Sequence, residues 1–146
     1  MKFKITGVAL ILSVFFVYSN AQVKHAKKPA SGGSSVTRGK IVYKQICLSC
    51  HMADGGGFQQ MNPPLIKTSY VLGNKGTLIK IVLNGFKEDV EINGEKYTNN
   101  MTPHSDLKDQ QIADVLTYVR KSFGNKASAV TPAEVKKVRA ANVVTK

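Results

Sequence analysis

An all-helical fold with one small β-ribbon is predicted by three features of this 146-residue sequence. Residues 109–123 place Ile112, Val115, Leu116 and Val119 at i, i+3, i+4 and i+7, the period of an amphipathic helix with one apolar face. Start and stop signals recur at helix spacing: Asn84-Gly85 and Gly124-Asn125 end apolar runs, and Thr131-Pro132-Ala133-Glu134 opens one as a capping box with proline at the first helical position. Strand-like sequence is confined to Val90-Glu91-Ile92 and Glu95-Lys96-Tyr97, which are joined by Asn93-Gly94, a pair suited to a type I′ hairpin turn.

The elements follow in chain order. Lys2 and Lys4, the apolar run Ile5–Tyr18 and the small-x-small triplet Ser19-Asn20-Ala21 read as a secretory signal peptide over residues 1–21, with the mature chain starting near Gln22. The apolar run falls short of the roughly 20 residues needed to span a bilayer, and no cysteine lies near the cleavage point for lipid attachment. Residues 22–35 are rich in Lys, Ser and Gly, with Pro29, and read as a flexible basic tether. A folded unit is expected over 36–125, opening with a helix over Arg38–Ile46 that Thr37 can cap. A second helix is expected over Thr77–Leu83 and a long one over Asp109–Phe123. Lys108 stands at the cap of the long helix, where serine or threonine would serve better. Residues 126–146 form a C-terminal extension with a short helix from Pro132. No internal repeat is present.

The first expected helix runs straight into Cys47-Leu48-Ser49-Cys50-His51, the most informative segment of the chain. C-x-x-C-H is the attachment pattern of c-type haem. Residues three apart share a helix face, so both sulfurs can reach one edge of a porphyrin, and the next histidine can offer a ring nitrogen to the iron. These are the only two cysteines, and haem attachment would use both. A dithiol redox pair would need a strand leading in and a helix following. A structural zinc needs four N or S ligands, and only His25 and His104 could be added. One motif implies one covalently bound haem c. Gly55–Gly57 carries none of the strand or lysine context of a phosphate cradle and is read as a flexible connection.

The iron's other face needs a ligand from elsewhere. Met52 is adjacent to His51 and cannot cross the ring, Met61 would have to wrap it within ten residues, and His25 lies in the tether. Met101 sits in an irregular stretch with ample chain to circle the porphyrin, and it is preferred. His104 is the rival, giving a bis-histidine haem of lower potential. A vacant sixth position is the third option, and it would suit a gas-binding or peroxidase-like protein.

With these residues in view, the sequence from Val36 to Gly124 resembles a class I cytochrome c, monohaem and exported. Gly39, Tyr43 and Cys47 match that family's G-x-x-x-aromatic-x-x-x-C spacing, and Tyr118 matches its partner aromatic in the last helix. The resemblance implies the cytochrome c fold, three to five helices around one covalent haem. It implies that the Pro63 carbonyl accepts the His51 N–H, that Leu65 packs on the haem, and that Met101 is the axial methionine. The run Asn93–Met101, the segment Ile112–Arg120, Gly124-Asn125 and Thr131–Val135 are similar to cytochrome domains that work with quinoprotein dehydrogenases, copper nitrite reductases and terminal oxidases. Met101-Thr102-Pro103 replaces the usual Met-Pro, and Phe123 stands where tryptophan is common.

The resemblance therefore implies a periplasmic or otherwise exported electron carrier with no catalytic residues of its own, free or as the haem subunit of a larger complex. Lys and Arg number 21 against 9 Asp and Glu, a net charge of +12. Loss of Lys2 and Lys4 with the leader would leave about +10. Such a surface favours acidic redox partners by steering. Nucleic acid is not expected as a partner, and membrane contact is expected only through surface charge or an uncleaved leader.

Overall fold

The computed structural model describes residues 33–142; the signal peptide and almost all of the tether lie outside the described residues, as does His25. Six helices and one hairpin are present among them: α1 Ser35–Val42, α2 Leu48–His51, α3 Ser69–Leu72, α4 Lys75–Asn84, β1 Val90–Ile92, β2 Glu95–Tyr97, α5 Asp109–Lys121 and α6 Pro132–Ala141. No helix among the described residues is long and apolar enough to cross a membrane.

The first helix begins earlier than its sequence suggests. Ser34 is the cap: its backbone is extended and its hydroxyl accepts the Thr37 N–H at 3.2 Å. Thr37, expected as the cap, instead sits in the first turn. Two serines precede a threonine here, and local sequence alone does not choose among three good capping side chains. The helix then widens through a π-helical turn at Tyr43–Cys47 before tightening again as α2, a local feature frequent at functional sites.

Helices α1 and α5 cross at Gly39. A Cβ added there would lie 2.0 Å from the Asp114 carbonyl oxygen and 2.8 Å from Tyr118 Cβ, so only glycine permits this approach. Arg38 closes the crossing with a two-pronged bond to Asp114, Nε to Oδ2 at 2.6 Å and Nη2 to Oδ1 at 2.8 Å. Below it, Tyr43, Tyr118 and Phe123 form a cluster with centroids 5.3–5.6 Å apart, within the range where tilted aromatic pairs attract.

That cluster shortens α5. The period predicts helix through Phe123, but the helix ends at Lys121. Phe123 and Gly124 adopt left-handed backbone, φ 56° and 74°, and this turns the ring onto Tyr43. At the other end, the Lys108 ammonium has nothing to accept with, and Gln111 Oε1 caps in reverse by accepting the Lys108 N–H at 3.0 Å. Helix α4 extends beyond its expected start because Asn74 Oδ1 accepts the Thr77 N–H at 3.1 Å. Helix α3 is a single turn with no readable period; Thr68 caps it. The hairpin has the expected register, Val90 opposite Tyr97, with positive φ at both Asn93 and Gly94.

Candidate haem-binding site

The widened turn and α2 bring Cys47, Cys50 and His51 to the wall of one cleft of about 300 Å³, a size usual for small-molecule sites. Much of the remaining lining is aliphatic, including Leu78, Val82, Leu116 and Val119 from α4 and α5. No disulfide joins the two cysteines. Burial, aided by the neighbouring Cys50, pushes the Cys47 thiol up to about 11. A dithiol oxidoreductase works with a lowered thiol pKa, so this environment argues against that reading. Among the described residues no three His, Cys, Asp or Glu side chains converge to hold a metal ion by themselves.

His51 Nδ1 lies 3.0 Å from the Pro63 carbonyl oxygen. A carbonyl only accepts, so Nδ1 carries the hydrogen and Nε2 keeps its lone pair for a metal. Burial holds the imidazole below its ordinary pKa, partly opposed by this hydrogen bond, and so favours the neutral, ligating form. Gly57 makes the approach feasible. At φ 69°, it would place a Cβ 2.2 Å from the Asn62 carbonyl oxygen and 2.7 Å from that of Pro63.

The loop carrying Pro63 and Leu65 is pinned from two sides. Leu65 N–H donates to the Gly55 carbonyl at 2.7 Å. From the far end of α5, buried Asn125 accepts the Lys67 N–H at 2.7 Å and donates Nδ2 to the carbonyls of Leu65 at 2.9 Å and Val119 at 2.8 Å. Leu65 and Pro63 both line the cleft. The role of Asn125 was not legible in the sequence, where Gly124-Asn125 reads only as a helix stop; nothing local says that the amide faces inward. Replacing Asn125 by alanine removes all three bonds and leaves buried groups unpaired, so we expect a loss of about 3 kcal/mol in chemical denaturation. An unchanged midpoint would show that the loop holds itself.

Met101 reaches the same cleft from the segment after the hairpin. Its backbone pairs with Phe86, N–H to carbonyl at 2.8 Å and the return bond at 3.0 Å. Gly85, at φ 73°, lets the two strands approach: a Cβ there would lie 2.3 Å from the Met101 carbonyl oxygen. His104 also lines the cleft, and its N–H donates to the Val82 carbonyl at 2.8 Å. Met52 and Met61 are exposed and absent from the lining. The cleft therefore collects two thiols, a neutral imidazole with a free nitrogen, a thioether and an aliphatic wall. A flat apolar macrocycle with a ligand-seeking metal fits that donor set.

A family model described as cytochrome c matches residues 36–123. The chain is 35% identical over 120 residues to the cytochrome c subunit of a quinone alcohol dehydrogenase of Gluconacetobacter polyoxogenes, covering 75% of this chain and 24% of that one. It is 33% identical over 111 residues to cytochrome c-552 of Thermus thermophilus, covering 70% of this chain and 84% of that one. It is 31% identical over 138 residues to the fructose dehydrogenase cytochrome subunit of Gluconobacter japonicus, covering 82% and 28%. The chain thus spans about a quarter of the length of the dehydrogenase subunits it matches. With the match extending from α1 through α5 and across the whole cleft, the chain belongs to the cytochrome c family, an electron-transfer domain whose cofactor is covalent haem c.

Proposed function

We propose that this protein is an exported single-electron carrier holding one haem with histidine and methionine on its two faces. Cys47 and Cys50 would hold the macrocycle through thioethers, His51 Nε2 and the Met101 sulfur would take the axial positions, and Leu65 would pack on the ring. When bound, haem c supplies an iron that alternates between ferrous and ferric. The observation that carries this reading is the convergence on one apolar cleft of a His51 ring with Nε2 free and the Met101 thioether.

The protein's own groups then tune the site. The Pro63 carbonyl orients His51 and makes it a stronger donor, while a thioether opposite favours the reduced state and raises the potential. With both faces taken, the site moves electrons without admitting substrate. The net charge of about +10 left after loss of Lys2 and Lys4 with the leader steers acidic partners into a brief complex. Given the relatives, we propose a quinoprotein dehydrogenase as the electron-donating partner, with nitrite reductases and terminal oxidases as the accepting alternatives. The leader over residues 1–21 and the tether over 22–35 would deliver the domain outside the cytoplasm, where haem c is attached.

A second reading, a bis-histidine haem, is favoured by one observation only: His104 lines the cleft too. Purification after export, a haem-stained denaturing gel and optical spectra in both redox states test the proposal. Stain that survives denaturation, together with a weak far-red ferric band of methionine ligation, is the expected result. A colourless polypeptide of unmodified mass would overturn it; covalent colour without the band would move the ligand to His104 or leave the position open.

A further inference from the structure

Helix α6 begins beyond the residues that the family model covers. It packs against α4 and α5, with Val135 wholly buried between them. Its polar side chains reach in two directions, and both lead to the segment carrying Met101. Arg139 donates Nη1 to the Ser105 carbonyl at 2.7 Å and Nη2 to the Leu107 carbonyl at 2.6 Å. Its Nε donates to Asp109 Oδ1 at 2.8 Å, at the start of α5. One planar guanidinium thus fixes both ends of the stretch that joins the methionine loop to α5. A fork of donors suits this arrangement in a way that a point-charge ammonium does not. On the other side, Asn142 and Asn84 exchange amide bonds at 3.0 and 2.6 Å. Asn84 immediately precedes Gly85-Phe86, whose backbone pairs with Met101.

We infer that α6 is a latch on the distal loop and that Arg139 is a positioning residue that keeps the Met101 sulfur on the iron. This rests on the reading of Met101 as distal ligand. The methionine–iron bond is weak, so its closure depends on how rarely the loop swings away. An external ligand binds only the open fraction, and its apparent affinity measures that fraction directly. Residues 105 to 108 carry no helix or strand of their own before α5 begins, so beside the buried Leu107 side chain it is the guanidinium, through the Ser105 and Leu107 carbonyls, that ties them down from outside α5.

The test is imidazole binding to the ferric holoprotein, followed optically, in wild type and in Arg139→Ala, Arg139→Lys and Lys75→Ala. Lys75 of α4 pairs with Glu134 of α6 at 2.9 Å, at the opposite end of α6 from Arg139, so it controls for general loosening of α6. Arg139→Ala should bind imidazole about tenfold more tightly, with a weakened far-red band and undiminished covalent haem. Arg139→Lys should fall between it and wild type, and Lys75→Ala should match wild type. Wild-type imidazole affinity in Arg139→Ala, whatever its melting temperature, would overturn the latch. If wild type itself lacks the far-red band, the methionine reading fails on its own. Amide exchange over residues 99–107 then decides the latch separately: faster exchange in Arg139→Ala supports it, and unchanged exchange overturns it.

Discussion

Adding one methyl group at Gly39 will destabilise the domain by about 3 kcal/mol, even though alanine is the better helix former. In an exposed helix the Gly39→Ala change would gain roughly 1 kcal/mol. Here the new Cβ would sit 2.0 Å from a backbone carbonyl oxygen of α5 and 2.8 Å from Tyr118 Cβ. Neither neighbour is the free end of a flexible side chain, so the helices must separate. Separation strains the Arg38–Asp114 fork, whose carboxylate is 4% exposed, and loosens the contact of Tyr43 with Tyr118. Overpacking of this kind costs 1–3 kcal/mol and at times more, which outweighs the propensity gain. Chemical denaturation of the holoprotein, with the slope unchanged, measures it. A midpoint that rises would mean the crossing is looser than described. Because α1 leads through the widened turn into Cys47, the same variant should also attach haem less completely in cells.

The second large effect is expected at Met101. Met101→Ala should keep covalent haem and lose the far-red ferric band. It should also bind carbon monoxide readily when reduced, and its midpoint potential should fall by something on the order of 0.2 V. The thioether stabilises the reduced iron, and axial ligands as a group move haem potentials over about 0.8 V. His104→Ala is the discriminating partner. If Met101 is the ligand, His104→Ala leaves band and potential nearly unchanged. If instead His104→Ala alone opens the iron while Met101→Ala does not, the bis-histidine reading replaces this one. A low-spin Met101→Ala protein that admits no carbon monoxide would point the same way, since His104 shares the cleft.

What can be read without coordinates is what neighbours along the chain decide. The C-x-x-C-H spacing, the hairpin pair Asn93-Gly94, the capping box Thr131–Glu134 and the period of 109–121 each act within one or two turns. Composition and spacing therefore carry them whole. Place in the chain favours Met101 as the motif's partner and the likeness to known proteins points to the same residue, but loop length alone leaves His104 as a rival.

Only the folded chain decides the rest. Arg38 meets Asp114 across 76 residues, and Asn125 reaches the Lys67 amide across 58. Local propensity contains no term for such contacts; they exist because distant segments return to one place. The same cause bends Phe123 out of its helix onto Tyr43 and brings the Arg139 guanidinium to the Ser105 and Leu107 carbonyls. Short-range rules choose the elements and the cofactor's attachment point. The closeness of backbone to backbone at Gly39, Gly57 and Gly85, where a single carbon would collide, sets how those elements grip it.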